Sequence, residues 1–535
     1  MEKYREAVKD TARKSVLEKS IIALTKDRST STLASRDYVR RVKENLTSRD
    51  CDRKYHASQL RDETISRWEG FYDSIVSSKK ASDLKVAYLS GPNPENDLTE
   101  MTNLGILPEN IWAFESDTTT YNEAVISALS SDFPFIKLIK SNIGTFFSVS
   151  PQKFDIIYLD FCGPLPSRNK KQRTLKAITS ILSHHSLNSP GVLVTNVSLP
   201  SKEQDSKGYD LIAKLVASYL YPKSFIESSS SPTKMTDGPI TSGYYPDTWD
   251  KEVKDNLEYY YGQYVTRLLL DIITIISPYN TFNRSNSVFR NLFEVSDKEI
   301  EYMMSHYYHF NEKCDGGNII SDTMLYPVLW TFSSLNKSLN QKDENYSQNI
   351  YADSEYEKFC NSFLSQLSNN DDINSLLKNV SSLHFLLGED NDEKYHSKSL
   401  NQISSISWFN RIYPFCDMFL FHQIKELLFR QIAVPYHPNI TATERWQYKA
   451  KETNMYMDMI VLDECRYIYD WMPSVDMIEN SLDDIQRQLS FRFALDAISK
   501  HRRYTNPEIF FGTASVGDGS AGFEAKWLKP RLELE

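Results

Sequence analysis

Between Leu84 and Val197, short apolar runs alternate with segments of helical period, and the runs end on polar or acidic residues. The runs are Leu84 to Leu89, Asn110 to Phe114, Phe135 to Ile139, Phe154 to Leu159 and Val192 to Thr195. Short apolar runs bounded by turn formers read as strands, and their alternation with helices predicts a parallel sheet covered on both faces. Ligands of such sheets lie beyond the carboxyl ends of the strands. That rule places Gly91, Asn93, Glu115, Asn142 and Asp160 along one rim.

The flanking pattern differs. Residues 1–80 read as a charged N-terminal helical arm, with Arg36, Arg40, Arg41, Lys43, Arg49, Arg53 and Lys54 crowded together and Trp68, Phe71 and Tyr72 on an apolar face. A basic arm of this kind can grip phosphates. Glu44, Asp50, Asp52 and Asp62 interleave with the cations, which favours a solvated helical cap. The α/β unit is expected to span 81–335, with a helical and loop insertion at about 198–285. Asp210 to Leu220 and Asp250 to Ile276 read as helices, and Ser228 to Pro246 reads as a loop. Residues 336–400 read as a polar linker with short helices. Residues 401–535 read as a mostly α-helical C-terminal domain. Phe409 to Gln431, Asn454 to Trp471 and Asn480 to Arg502 are apolar at helical spacing, and Gly512 to Gly522 is a glycine-rich tail. Two further strands are sought at Ser287 to Phe293 and Met324 to Trp330.

Composition narrows the class. The 535 residues carry a net charge of −10, which argues against a protein that coats nucleic acid over its whole surface. Forty per cent hydrophobic residues, with 32 Tyr and 27 Phe, can build several cores. The six cysteines lack zinc-finger or redox spacing, which predicts reduced thiols in a cytoplasmic protein. The most membrane-like stretch, Leu268 to Ile276, is too short to span a bilayer and contains Asp271, so no membrane partner is expected.

On the residues of the 80–200 stretch, the chain resembles the class I S-adenosylmethionine-dependent methyltransferases. The resemblance implies a doubly wound, mainly parallel Rossmann-like sheet and S-adenosylmethionine as cofactor. It places Gly91, Asn93 and Glu95 in the first turn, beneath the cofactor. It places Glu115 at the ribose hydroxyls, and Ser141 and Asn142 at the adenine. Asp160-Phe161-Cys162-Gly163 falls where the family's catalytic motif faces the methyl group. Pro190-Gly191 falls at the turn before the fifth strand. The first turn departs from the family's spaced glycines, because only Gly91 is glycine. Asn93 is the candidate for a left-handed position there, since Asn tolerates it better than most residues.

Each candidate also has a plainer reading. Asp160 orients or deprotonates an acceptor, or it caps the following turn. Cys162 is a candidate nucleophile, but Phe161-Cys162 matches no pyrimidine-methylating motif and a packing role is favoured. Arg168, Lys170, Lys171 and Arg173 can steer a phosphate-bearing substrate, or they simply begin a solvated helix. His306 and His309 near Cys314 and Asp315 lack paired zinc spacing, so no metal is expected. Met459 to Glu464 imitates an acidic nucleotidase strand, but the phosphate loop that chemistry needs is absent, and a helix is expected there.

Two functions follow. The first is a methyltransferase-like protein acting on a nucleic acid, with Asp160 and Cys162 catalytic and Gly91, Asn93, Glu95, Glu115, Asn142 and Asp160 around the cofactor. Arg168, Lys170 and Lys171 would hold its substrate. The alternative is a catalytically inactive scaffold of the same fold, assembling with a protein partner through the helical C-terminal domain or with nucleic acid.

Overall fold

The computed structural model describes residues 7–48, 54–168, 173–221, 246–277, 280, 292–308, 331, 354–367, 386, 393–405, 436–471, 484, 486 and 528–535. The chain opens with α1 (Ala7–Leu24), α2 (Arg28–Ser31), α3 (Tyr38–Ser48), α4 (Lys54–Ser58) and α5 (Asp62–Ile75). Strands and helices then alternate: β1 (Val86–Leu89), α6 (Glu95–Asn103), β2 (Ile111–Glu115), α7 (Thr118–Leu129), β3 (Lys137–Lys140), α8 (Ile143–Val149), β4 (Phe154–Asp160), α9 (Thr174–Ser183) and β5 (Leu187–Ser198). Next come α10 (Ser206–Leu220), α11 (Pro246–Asp255) and α12 (Leu257–Asp271). The fifth strand starts before Pro190-Gly191, so that dipeptide lies within the strand rather than in a turn ahead of it.

The architecture is α/β, around a nine-stranded, mostly parallel sheet. Its first five strands are parallel, in the order β3-β2-β1-β4-β5. The chain winds outward from β1 to β3 and then returns to β4 on the other side of β1. Strand order therefore reverses between β1 and β4, which opens a crevice at their carboxyl ends.

The sheet continues with strands from the far end of the chain. β6 (His437–Pro438), β7 (Glu444–Ala450) and β8 (Thr453–Asp463) follow, and β9 (Leu532–Leu534) ends the chain. β8 runs antiparallel along β5, from Gly191↔Leu462 to Ser198↔Met455, and β7 pairs antiparallel with β8. The helix expected over Asn454 to Trp471 is thus corrected. Its first part is a strand, and only Arg466–Tyr469 is helical. Residues 437–463 and 532–534 are part of the same sheet as β1 to β5. Phe409 to Gln431, the candidate strand Met324 to Trp330, the glycine-rich tail, and nearly all of Asn480 to Arg502 lie outside the described residues.

Period-two alternation sorts the sheet into two cores. Val86, Tyr88, Ile156, Tyr158, Val192 and Val194 face α1, α6 and the Met455, Met457 and Met459 side of β8. Ala87, Ile157, Leu159, Leu193 and Val197 face α8 to α10, α12 and the helix Ser354–Leu367. β4 is buried on both faces, which explains its continuous apolar run. α1 places Ala12, Val16, Leu17, Ile21 and Leu24 on one buried stripe against the sheet. The N-terminal arm is therefore in part a structural layer. The basic residues here are ion-paired: Arg40 and Lys43 of α3 with Glu69 and Asp62, and Arg36, just before α3, with Asp73.

Buried polar groups fasten the late strands. Asp458, fully buried on β8, accepts from Thr266 Oγ1 at 2.6 Å and pairs with Arg531 at 2.7 Å. Asp463, at the end of β8, accepts from Leu33 N, Ser189 Oγ and Tyr467 Oη. Its acid therefore has a structural partner set. Asp271, in the stretch weighed as a membrane segment, is buried against Arg267 and Tyr219 Oη. Among the described residues no helix is long and apolar enough to cross a membrane.

Candidate active site at the sheet rim

Strand register sets the site. β1 pairs Tyr88 with Tyr158, and β4 pairs Asp160 with Asn196. β2 pairs Phe114 with Leu89. Extending these pairs places Glu115, Ser90, Asp160 and Asn196 level across the strand tips, on the face that α1 covers. Neighbouring strands lie about 4.8 Å apart, so Glu115 and Asp160 stand about 10 Å from each other.

Asp160 is the centre of a network. Asn196 Nδ2 donates to its Oδ1 at 3.0 Å, and also to Tyr448 Oη at 2.8 Å. The Cys162 thiol donates to Asp160 Oδ1 at 3.2 Å. Lys9, on the first turn of α1, places its ammonium 3.4 Å from Asp160 Oδ2 and 3.7 Å from Cys162 Sγ. The Asp160 charge raises the Lys9 pKa, so Lys9 is a fixed cation at neutral pH. One turn along α1, Arg13 Nε donates to Asp97 Oδ1 at 2.6 Å, locking α1 to α6. Burial pushes the Asp97 carboxyl up, against the pull of Arg13.

Cys162 sits in the left-handed region with φ of 49°. Its side chain is exposed on one side and crowded by protein on the other. Burial and the Asp160 charge push the thiol up to about 12. A nucleophilic cysteine needs the opposite shift, because the thiolate is the reactive form.

The first turn is built on Gly91, whose φ of +58° is the only positive value between β1 and α6. Asn93 does not take the left-handed position proposed for it. A Cβ at Gly91 would meet nothing within 4 Å, so open space lies above the turn. Asn93 is exposed, and Ser127 Oγ donates to its Oδ1 at 3.3 Å. Glu95 is buried and receives the same Ser127 hydroxyl at 2.9 Å, which ties the turn to α7. Glu115 keeps its tip position. Its Oε1 accepts from Asp117 N at 2.7 Å, while Asp117 caps α7. Asn142 caps α8 through Gly144 N and Thr145 N. Arg168 is tied to Asp205 at 2.7 Å, at the start of α10. Lys170 and Lys171 lie outside the described residues, as do His309, Cys314 and Asp315.

The geometry thus brings Gly91, Glu115, Asp160 and Cys162 to one rim and sets Glu95, Asn142 and Arg168 to other partners. It adds Lys9, Asn196 and Tyr448. Asn196, fully buried and two residues short of the end of β5, lacks the strand-tip signal that marked Asp160. Lys9 carried none, because its place depends on α1 packing across the sheet.

The space above Gly91 admits a ligand close to the backbone, and Asn196 Oδ1 is a fully buried acceptor without a hydrogen-bond partner beside Asp160. Compared with protein-family models, with curated proteins and with solved structures, the chain matches none.

Proposed function

We propose that the chain is an S-adenosylmethionine-dependent methyltransferase whose acceptor is a hydroxyl of a nucleic acid, bound where Lys9 and Asp160 meet. The observation that carries this reading is the Lys9–Asp160–Asn196 network at the tip of β4, level with Glu115. In this reading the β3-β2-β1-β4-β5 order is a Rossmann-like, doubly wound sheet, and β8 and β7 are the family's last two strands.

Gly91 and Glu115 would hold the cofactor, with Glu115 accepting from ribose hydroxyls. When bound, S-adenosylmethionine supplies an electrophilic methyl group. Asp160 accepts the acceptor's O–H and fixes its direction, so that the oxygen approaches in line at short range. Lys9 stabilises the negative charge that grows on that oxygen as its proton is drawn toward Asp160. A fixed cation at this point disfavours an amine, whose nitrogen becomes more positive during transfer. Sugar hydroxyls make RNA the nucleic acid to test first.

The test is methyl transfer from labelled cofactor to RNA and DNA oligomers of the same sequence. Asp160→Ala is expected to bind cofactor as the parent does and to transfer nothing. Equal transfer to DNA would refute the sugar-hydroxyl assignment.

The second reading is a non-catalytic scaffold. It is favoured by Asp160, which is already engaged by Lys9, Asn196 and Cys162. That reading predicts no cofactor binding at all.

A further inference from the structure

A cleft separate from the Lys9–Asp160 network lies between α8, α9 and the helix Ser354–Leu367. Its volume is about 440 Å³, in the range of small-ligand sites. Arg173, Lys176, Ser180 and His184 follow one another at offsets of 3, 7 and 11 residues, which puts them on one face of a helix. That face lines the cleft over about 16 Å. The opposite wall includes Gln366.

The charge in this cleft is one-sided. No carboxylate lines it among the described residues. Arg173 and Lys176 are exposed, and neither has an ion-pair partner among the described residues. Arg168, outside the cleft, is by contrast paired with Asp205. Gln366 is 8 % exposed, and its Oε1 has no hydrogen-bond partner. A buried amide oxygen left without a donor calls for one. Ser180 Oγ is held by Gly144 O at 2.7 Å, and a Cβ on Gly144 would come within 3.1 Å of Ala177, so this side of the cleft is fixed by close helix packing.

We infer that this cleft binds a phosphate-bearing ligand, with Arg173 and Lys176 neutralising the phosphate and Gln366 Oε1 accepting from an O–H or N–H group elsewhere on the same ligand. The Arg173 guanidinium and the Lys176 ammonium match a phosphate's acceptor oxygens, and a point cation such as Lys176 binds phosphate without needing a fixed fork. The ligand is either a free phosphorylated small molecule or the backbone of a single strand. The assignment does not depend on the methyl-transfer reading.

The experiment is calorimetric titration of the full chain at low salt with two probes, pyrophosphate and a single-stranded hexanucleotide. Saturable binding of at least one probe is expected, weakened at least about tenfold in Arg173→Ala/Lys176→Ala and with a shallower salt dependence. Glu115→Ala is expected to leave that binding unchanged, which separates this site from the cofactor site. Pyrophosphate binding as tightly as the hexanucleotide assigns a small ligand, and a strong preference for the hexanucleotide assigns a backbone. Binding of neither probe, or equal binding by parent and double variant, overturns the inference. Both substituted residues are exposed, so the variant is expected to fold.

Discussion

Arg13→Met tests how α1 is fastened over the rim. Arg13 is 9 % exposed and Asp97 8 % exposed, and they meet at 2.6 Å. Removing one partner of a buried pair costs about 3–5 kcal/mol, because the other charge is left without compensation. The second contact of Arg13, to the half-exposed Asp10, adds less than about 1 kcal/mol. Asp97 has an escape, since burial already raises its pKa and without Arg13 it takes up a proton more readily. The sign follows from linkage. A carboxyl whose folded pKa lies above its ordinary 3.8 binds more protons folded than unfolded, so lowering the pH through the folded value favours the fold. The expected loss is about 3 kcal/mol at mildly alkaline pH and smaller at mildly acidic pH. Arg13→Met/Asp97→Leu, which removes both charges, should recover most of it. Urea unfolding followed by circular dichroism at the two pH values reads this directly. A loss below about 0.5 kcal/mol, within the range of ordinary surface substitutions, or a loss that grows as the pH falls, would refute the reasoning.

Other consequences can be checked alongside. Lys9→Met should keep cofactor binding but slow methyl transfer by about a hundredfold, the scale of losing one preorganised charge. The raised Lys9 pKa makes its contribution to stability whole below 10.5 and fading as the pH rises beyond it, so Lys9→Met should flatten the alkaline arm of the stability profile. An unchanged alkaline arm would contradict the Lys9–Asp160 pairing. Cys162→Ala should reduce transfer by less than about tenfold, because a thiol held protonated is not the nucleophile. Complete loss of transfer in a folded Cys162→Ala protein would reverse that assignment.

The parallel half of the sheet was legible because its apolar runs are short and end on residues that strands do not bury. Asp160 and Glu115 are visible by that rule, whereas Asn196, fully buried within β5, is not. β8 was hidden for a definite reason. Met455, Met457, Met459 and Val461 pack on one face, and Tyr456, Ile460 and Leu462 on the other. An apolar run buried on both faces lacks alternation, so its period does not separate it from a buried helix. Its partner β5 is more than 250 residues earlier, and no local pattern reports such a pairing. Lys9 is hidden the same way. On α1 it reads as one charge of a solvated helix, and only the packing of Val16 and Leu17 against the sheet delivers it to Asp160. Asn93 was misread because a residue that tolerates the left-handed region need not adopt it. In this turn Gly91 supplies the one reversal required.

The central claim is that the rim between β1 and β4 holds S-adenosylmethionine. Calorimetric titration of the parent and of Glu115→Ala with that cofactor, each first shown to be folded by circular dichroism, tests it most directly. The account predicts saturable one-site binding by the parent and its loss in the variant. Absence of binding by the folded parent, or equal binding by both proteins, would contradict it.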